Sequence, residues 1–278
     1  EKPEISLAHI KRLTTIAGMI QFSITPIPDI SSGYTLDDNA RALIAVTKHY
    51  QLTGETEDLW LIDTYLNFII FCQQADGNFL NYVDRKKNYF AKNNEENLED
   101  SNGRAIWALG EFISNKHLFC NHFTERAIAA MDKSLKHITK LHSPRAIAFA
   151  IKGLYHYDLV KNDRTLKQMI TGLADNLVSK YRGVSDENWK WFEEYMTYAN
   201  SVLPESMLYA YLNTGNEIFK ETAKASFDFL LSIIFQEGQI KVVSNQGWQL
   251  KGKPSGKFGE QPIDVSYTIL ALGIFYDT

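Results

Sequence analysis

GRAIWALGEF, at Gly103–Phe112, is a helix-length run whose residues are apolar or small on nearly every side. Three further segments share this composition: ARALIAV at Ala40–Val46, PRAIAFAIKGLY at Pro144–Tyr155 and VSYTILALGIF at Val265–Phe275. A helix that is apolar nearly all round has to be covered by other elements on all sides. We therefore predict that these segments are the inner, buried helices of the fold.

Longer segments of a second kind alternate with the inner helices. They are ETEDLWLIDTYLNFIIF at Glu55–Phe71, TERAIAAMDKSLKHI at Thr124–Ile138 and NEIFKETAKASFDFLLSII at Asn216–Ile234, each with one charged stripe. An alternation with a period of about 50–60 residues indicates a helical-hairpin repeat. We expect an all-α fold, an α/α toroid of the six-hairpin glycosidase type, as a single domain over residues 1–278. An open α-solenoid has the same local pattern and is the alternative.

Hydrophobic periodicity predicts nine helices after a first one in ISLAHIKRLTTIAG, Ile5–Gly18. Their expected bounds are Leu36–Tyr50, Asp58–Gln74, Ser101–Ile113, Phe123–Leu141, Pro144–Tyr157, Thr165–Tyr181, Ser201–Leu212, Glu217–Phe235 and Val265–Tyr276. The best strand signal is the short QIKVV at Gln239–Val243. Only five inner helices are counted, so we expect a toroid truncated by one helical hairpin at the C-terminus.

Charge and composition exclude several classes of partner. The 278 residues have a formal net charge of -4, which gives no electrostatic reason to expect nucleic acid or an anionic membrane as a partner. No signal peptide and no membrane-spanning run is recognisable, so we expect a cytoplasmic protein. The two cysteines, Cys72 and Cys120, do not indicate a disulfide framework.

The long loops are expected to lie on one face of the toroid. Connections that leave an inner helix are short, whereas those that enter one are long: 74–100, 181–200 and 235–264. Alternating hairpins make the inner helices parallel to one another, so their N-termini and the long loops share a face. Long ordered loops in a compact domain usually carry function.

Acids, amides and aromatic rings are concentrated at these helix starts. Rings cover the apolar faces of a sugar, and carboxylates and amides bind its hydroxyl groups, so a neutral carbohydrate is the ligand class that this composition favours. The candidate residues are Tyr34, Asp37, Asp38, Asn39, Arg41, Glu99, Asp100, Arg104, Trp189, Trp191, Glu193, Glu194, Tyr198, Asn200, Gln261 and Asp264.

Asp37 and Asp38 are the first candidates for catalytic carboxylates. A purely structural interpretation exists, because Thr35 and Asp38 have capping-box spacing and Arg41 or Arg104 can pair with the acids to join inner helices. Acids nevertheless recur at four of the five inner-helix starts, and a cap needs only one. Carboxylates gathered in one concavity repel each other, which favours a protonated acid beside an ionised one, the pairing used in glycoside cleavage.

Other chemistries lack their motifs. GxSxG, GxGxxG, P-loop and HExxH sequences are absent, and so is EF-hand spacing. The seven histidines are scattered, and most of them lie on predicted outer helices or hairpin turns. We therefore expect no cofactor and no metal site.

Four motifs together resemble a bacterial family of α/α-toroid domains. They are GYTLDDNARALIA at Gly33–Ala45, EDSNGRAIWALG at Glu99–Gly110, WFEEYMTYANSVLP at Trp191–Pro204 and QPIDVSYTILAL at Gln261–Leu272. The family occurs alone or fused to family 4 glycosyltransferases, near mannoside-processing genes. The chain departs from its pattern at Asn102, where the family has histidine, and at Ala199. Endo-acting α-mannanases on the same toroid also use consecutive aspartates.

The resemblance implies a carbohydrate context and a glycosyltransferase or phosphorylase in the same pathway as a partner. With the acids, it leads us to expect a glycoside hydrolase acting on a mannose- or glucose-containing oligosaccharide, with Asp37 and Asp38 catalytic. Two alternatives stay open. A sugar epimerase would be expected to have histidines at the inner-helix starts, and a non-catalytic carbohydrate-binding toroid would need the rings but no coupled acids.

Overall fold

The computed structural model describes residues 5–236, 238–254, 256 and 258–278, and the described part of the chain is mainly helical. The helices are α1 (Ala8–Leu13), α2 (Leu36–Thr53), α3 (Leu59–Cys72), α4 (Glu99–Ser114), α5 (Asn121–Ile138), α6 (Pro144–Lys161), α7 (Arg164–Val184), α8 (Val202–Thr214), α9 (Glu217–Ile234) and α10 (Pro262–Tyr276). The strands are β1 (Thr14–Thr15), β2 (Gly18–Ile24), β3 (Ile27–Thr35), β4 (Tyr82–Val83), β5 (Tyr195–Met196), β6 (Phe235–Gln236), β7 (Gln239–Ile240) and β8 (Gln249–Leu250).

The chain forms two compact units. The first contains Glu1–Leu141 and Leu159–Lys161, and the second contains His142–Asp158 and Asn162–Thr278. In the first unit α2 packs against α4, and each of them packs against the helix that follows it, α3 or α5. In the second unit α8 packs against α7, α9 and α10.

The inner helices of both units are buried nearly all round, as their composition predicts. In α4 every residue from Gly103 to Ile113 is buried, and in α6 every residue from Arg145 to Leu154 is buried. The helices α5, α7 and α9 bury one stripe only and leave a polar face exposed. These two burial patterns confirm the predicted alternation of inner and outer helices.

Helix α10 departs from this pattern. It was expected to be buried on all sides, yet Ile269 is 58% exposed, Tyr276 is 90% exposed and Leu272 is also exposed. Its buried side consists of Asp264, Tyr267, Thr268 and Ala271. An apolar composition indicates that a helix can be covered, and no described element covers this side of α10.

The helix bounds lie within a few residues of the prediction, but the N-terminal region and the strand signal differ. The first helix ends at Leu13, and the chain then forms the antiparallel strands β1, β2 and β3. Residues Ile20, Phe22 and Ile24 alternate with polar residues in β2, which is the period of a strand and not of a helix. QIKVV forms a strand only at Gln239–Ile240, which pairs with β6.

The turns after α2 and α8 repeat one another in sequence and geometry. Each helix ends in Thr-Gly, and the glycine has a positive φ, 68° at Gly54 and 73° at Gly215. The glycine N–H donates to the carbonyl of a tyrosine four residues earlier, Tyr50 or Tyr211. Glycine adopts this left-handed cap without the steric cost of a side chain.

The core of the first unit includes a thiol. Cys72 ends α3 and is fully buried with its neighbours Phe68 and Ile69, and burial raises the pKa of this thiol. Cys120 precedes α5 and is exposed, and both cysteines are free. None of the described helices combines the length and the apolar run that a bilayer crossing requires.

Candidate functional site

Strand β3 leads directly into α2, and the candidate catalytic acids lie in the first turn of this helix. Gly33 has φ 72°, and a β-carbon there would come within 2.3 Å of the carbonyl oxygen of Val83 in β4. Only glycine therefore permits this close approach of β3 to β4. Two residues later Thr35 is the N-cap of α2, and its hydroxyl accepts from the N–H of Asp38 at 3.1 Å.

The long loop before α4 fixes the first turn of α2 from the other side. The side-chain oxygen of Asn81 accepts from the N–H of Asp37 at 3.1 Å, and its carbonyl accepts from the N–H of Leu36 at 2.8 Å. Asn93 in turn accepts from the N–H groups of Asn81 and Tyr82, both at 2.8 Å. Asn81 thus satisfies helix-start N–H groups that have no partner within the helix, and Asn93 holds the loop that positions Asn81.

Asp37 is held between two guanidinium groups. Its Oδ1 lies 2.5 Å from Nη1 of Arg104 on α4, and its Oδ2 lies 2.9 Å from Nη2 of Arg41, one turn further along α2. The Arg104 side chain is 5% exposed, whereas that of Asp37 is 22% exposed. The pair joins the two inner helices and leaves part of the carboxylate open to solvent.

Asp38 shares Arg41 with Asp37. Its Oδ1 lies 2.7 Å from the same Nη2, and its Oδ2 accepts from the hydroxyl of Thr35 at 2.6 Å. Asp38 therefore takes part in the helix cap that the sequence suggested as the structural interpretation. Each of the four carboxylate oxygens of the pair accepts a hydrogen bond, and Asp37, Asp38, Arg41 and Arg104 form one network, which we call the acid–arginine cluster.

Glu99 and Asp100 occupy the first turn of α4, where the helix dipole favours negative charge. Glu99 borders a cavity of about 270 Å³ whose other walls are mostly apolar, including Phe79, Ile106 and Ile138. Asn102 also lines this cavity, but its side chain is hydrogen-bonded to the loop backbone. It accepts from the N–H of Phe79 and donates to the carbonyl of Phe79, both at 2.9 Å. This cavity offers few groups for sugar hydroxyls.

Two residues predicted to bind substrate beside the acids are interior instead. Asn39 is fully buried, accepts from the N–H of Met19 at 2.8 Å and donates to the carbonyl of Thr35 at 2.8 Å. Tyr34 is 5% exposed, and its ring packs against Phe68. Asn39 attaches β2 to α2, and Tyr34 packs β3 against α3, so we remove both from the list of substrate-binding candidates.

The second unit has an arginine network of its own, centred on Arg145 in the first turn of α6. Arg145 Nη1 lies 2.8 Å from Oε2 of Glu193, and Nε donates to the carbonyl of Tyr198 at 2.7 Å. The guanidinium carbon also lies 5.3 Å from the centre of the Tyr198 ring. Asn200 accepts from the N–H of Thr197 at 3.1 Å and thereby closes the same loop. We call Arg145, Glu193, Tyr198 and Asn200 the loop-anchoring cluster.

The two residues that follow Glu193 are exposed. The charge of Glu193 raises the pKa of Tyr195, and partial burial of the phenol and its hydrogen bond to Glu193 act in the same direction. Glu194 is exposed, and its carbonyl accepts from the N–H of Lys251 at 2.9 Å. Of the two adjacent glutamates, only Glu193 belongs to the loop-anchoring cluster.

Asp264 and Gln261 lie at the start of α10. Asp264 is buried, and its Oδ1 accepts from the N–H of Ala199, a residue with φ 52°. Gln261 is the N-cap residue of α10, but its side chain makes no capping hydrogen bond. Asp264 therefore fixes the backbone of the loop before α8, while Gln261 is half-buried.

The two tryptophans that were expected to line sugar subsites are core residues. Trp191 is fully buried, and Trp189 is 4% exposed with its ring against Phe229 and its Nε1 donating to the carbonyl of Glu193 at 2.7 Å. A buried ring has no free face to stack on a sugar, so this part of the prediction is wrong. Of the aromatic residues in NWKWFEEY, Trp189, Trp191 and Phe192 are buried and Tyr195 is exposed, and composition alone does not tell which side each ring takes.

Arg145, Tyr195 and Asn81 were not predicted as site residues. A signal for Arg145 was present, because Arg104-Ala105-Ile106 and Arg145-Ala146-Ile147 repeat the same tripeptide near the start of an inner helix. The first arginine of the repeat pairs with Asp37 and the second with Glu193. The contact of the Asn81 side chain with Asp37 depends on the conformation of an irregular loop, which hydrophobic periodicity does not predict.

By sequence, no protein-family model and no curated protein matches the chain. Among solved structures it is similar to a D-mannose isomerase, with a TM-score of 0.63 and 12% identity over 97% of this chain and 79% of that one. A sugar epimerase from a ruminal bacterium has a TM-score of 0.65 and 14% identity, over 91% of this chain and 74% of that one. The cellobiose 2-epimerase of Bacillus thermoamylovorans B4167 has a TM-score of 0.59 and 11% identity, over 97% and 96%. At this level of identity the likeness defines the fold alone, and it confirms the predicted class, an all-α chain of the α/α-toroid type.

Proposed function

We propose that the chain is a sugar-processing enzyme that moves a proton at the carbon beside the carbonyl of an open-chain sugar, as an aldose epimerase or isomerase. The observation that carries the proposal is the acid–arginine cluster, in which both carboxylates of Asp37 and Asp38 accept hydrogen bonds on every oxygen while two guanidiniums lie beside them. Asp37 is the proposed base, and Arg41 and Arg104 are the proposed partners of the anion that forms.

The chemistry needs an ionised base and positive charge in one place. A carboxylate of Asp37 would take the proton from C2, and the C–H electron pair would move into the C1–C2 bond as the carbonyl oxygen becomes negative. Guanidinium groups close to that oxygen stabilise the enediolate. Return of the proton to the other face of C2, after the enediolate has rotated about its C2–C3 bond, gives the epimer. Return of the proton to C1, with transfer of the O2 proton to O1, gives the ketose. No external oxidant or reductant is required.

Proton abstraction fits the cluster better than glycoside cleavage does. Cleavage needs one carboxyl that is protonated and donates, whereas every oxygen of Asp37 and Asp38 is placed as an acceptor. A carboxylate has about four lone-pair sites, so one hydrogen bond per oxygen leaves room for a proton from the substrate. Hydrolysis stays the second candidate. Because one nitrogen of Arg41 binds both acids, they are closer than the roughly 6.5–9.5 Å typical of inverting enzymes, which favours retention if hydrolysis occurs.

The similar structures support a reducing sugar as the substrate class, since their names specify mannose and cellobiose as substrates. We therefore propose glucose- or mannose-containing mono- and disaccharides. An epimerase was expected to have histidines at the inner-helix starts, where this chain has only His142, directly before the N-cap of α6. The proposal answers this with Asp37 as the base. The predicted glycosyltransferase or phosphorylase partner stays a prediction.

The test is an NMR assay of the protein in deuterated water with glucose, mannose, cellobiose and mannobiose. We expect interconversion of C2 epimers or of aldose and ketose, with solvent deuterium entering at C2 or C1. Asp37→Asn should lower the rate at least about 10²-fold, the usual contribution of a general base. Asp63→Asn, an exposed aspartate on the outer helix α3, is the matched control and should keep full activity.

Other outcomes identify the rival functions. Release of monosaccharide from the disaccharides, without deuterium in the product, would establish hydrolysis. Saturable sugar binding with no turnover on any substrate would establish the non-catalytic toroid. An Asp37→Asn variant that is folded and fully active would overturn the assignment of the base.

A further inference from the structure

Three potential metal ligands lie together where α2 turns into α3, at the opposite end of α2 from Asp37. His49, Glu55 and Asp58 each offer one ligand atom, and these atoms lie within 4.8 Å of one another. His49 belongs to the last turns of α2, and Glu55 and Asp58 belong to the connection and the short 3₁₀ turn that follow it. The turn brings together residues that are spaced as H-x5-E-x2-D.

The histidine of this group is buried, and one of its ring nitrogens has no hydrogen bond from the described residues. Its side chain is 9% exposed, and no group of the described residues bonds to Nδ1 of the ring. Asp58 is 5% exposed. A buried imidazole nitrogen without a partner loses its hydration and gains nothing in return, so it needs an explanation. Coordination of a cation between the imidazole and the two carboxylates would supply one.

The second unit contains the same turn without these ligands. Aligning Thr53-Gly54 with Thr214-Gly215 places Ala210, Asn216 and Phe219 where the first unit has His49, Glu55 and Asp58. Both turns keep the glycine cap and the threonine hydroxyl bond to the carbonyl four residues back. The turn therefore forms without a histidine or an acid, and the triad in the first unit is not a requirement of its geometry.

We propose that His49, Glu55 and Asp58 bind a divalent first-row transition metal, with zinc as the expected ion. One imidazole nitrogen with two carboxylate oxygens suits zinc, cobalt or manganese, whereas calcium and magnesium prefer oxygen ligands alone. Ligand atoms around tetrahedral zinc are about 3.3 Å apart, given bonds of about 2.0–2.1 Å. A spacing within 4.8 Å therefore requires a small side-chain adjustment, and water completes the coordination.

A lysine competes for this position. Nζ of Lys11, on α1, lies 2.5 Å from Oδ1 of Asp58, and the lysine side chain is 42% exposed. It can swing into solvent when a metal takes its place. The C-terminal end of α2 also favours positive charge, because the negative end of the helix dipole lies there. Removing the lysine should therefore raise the affinity for the metal.

The proposed metal would connect helices and would not take part in the sugar chemistry. His49 comes twelve residues after Asp37 on the same helix, a rise of roughly 18 Å. Metal binding and activity at the acid–arginine cluster are therefore separate claims, and either can fail without the other.

The test is metal titration of the full chain after treatment with a chelator. Zinc binding is followed by calorimetry, cobalt binding by its visible absorption, and melting temperature by circular dichroism. We expect one equivalent of zinc to bind and to raise the melting temperature, about tenfold tighter binding in Lys11→Met, and at least tenfold weaker binding in Glu55→Gln. Glu57→Gln, in the same turn but outside the triad, is the matched control and should bind as the unmodified chain does.

Glu55 is exposed, so its substitution tests the site without endangering the fold, which His49→Leu could do. Unchanged zinc binding in Glu55→Gln and Asp58→Asn, or no saturable binding at micromolar zinc, would overturn the proposal. A preference for calcium or magnesium over zinc would overturn the assignment of the metal class.

Discussion

Each unit of the molecule uses an arginine near the start of an inner helix to bind an acid, but the two clusters are built for different tasks. In the acid–arginine cluster of the first unit, Arg104 pairs with a carboxylate that is 22% exposed and that also contacts Arg41. In the loop-anchoring cluster of the second unit, Arg145 divides its donors between Glu193, a backbone carbonyl and Asn200. The same local motif thus holds a partly exposed carboxylate in the first unit and a loop in the second.

The difference follows from what surrounds each arginine. A guanidinium bonded to backbone and amide oxygens has its donors committed to structure, and its removal exposes several unsatisfied groups at once. A guanidinium paired with a carboxylate that reaches solvent keeps positive charge near the surface. The comparison therefore predicts loss of activity in the first unit and loss of stability in the second.

Arg104→Met should have the largest effect. Loss of one of the two guanidiniums beside Asp37 is expected to lower kcat/KM about 10²–10³-fold, the effect of removing a preorganised donor to a developing anion. Steady-state kinetics on the sugar identified by NMR provide the measurement. Arg12→Met, a substitution of an exposed residue on α1, is the control. Equal kcat/KM of the two variants would contradict a catalytic role for the acid–arginine cluster.

Arg145→Met should mainly lower stability. It leaves Glu193 and the carbonyl of Tyr198 without their donor, and breaking a largely buried ion pair on one side costs about 3 kcal/mol of the free energy of unfolding. Urea unfolding monitored by tryptophan fluorescence measures this. A loss below about 1 kcal/mol would contradict a structural role for the cluster.

Asn81→Ala should have an intermediate effect on the first unit. It removes the oxygen that accepts from the N–H of Asp37, which should cost about 1–2 kcal/mol of stability. Because the same bond positions the carboxylate, kcat should fall together with stability. Asn78→Ala, at an exposed asparagine of the same loop whose side chain donates to Asp76, is the control and should change neither quantity.

The smallest expected effect concerns the phenol of Tyr195. Since the charge of Glu193 raises its pKa, Glu193→Gln should lower that pKa toward the ordinary value of about 10. A pKa raised by folding means that this group stabilises the fold at pH below about 10 and that the contribution disappears as pH rises through the folded pKa. Absorbance titration of tyrosinate follows the change, and Tyr195→Phe should abolish the corresponding step.

The helical part of the fold is predictable from the sequence because burial imposes a period on it. The run from Gly103 to Ile113 has no polar stripe, and the helix is covered on every side. The hairpin of β2 and β3 was missed, since five alternating residues are a weak signal beside an apolar helical run. The exposed side of α10 could not be predicted either, because apolarity does not say which element covers a helix.

The candidate site is predictable only in part. The acids at the start of α2 and the arginines Arg41 and Arg104 were identified from their positions, and the structure brings these side chains together. Their catalytic roles stay predictions. The orientation of Trp191 was wrong, because the direction of a side chain in an irregular loop depends on contacts far away in sequence. Arg145 was overlooked because its partners, Glu193 and the carbonyl of Tyr198, lie about 50 residues further along the chain.

Chemical modification of the two thiols can measure how often the first unit of this chain unfolds. Cys120 is accessible in the folded protein, so an alkylating reagent should modify it at once, while Cys72 should react only when α3 leaves the core of the first unit. The rate of the second modification then reports how often that unit opens. Zinc bound at the end of α2 would slow it, and a variant confined to the loop-anchoring cluster would test whether the second unit opens independently.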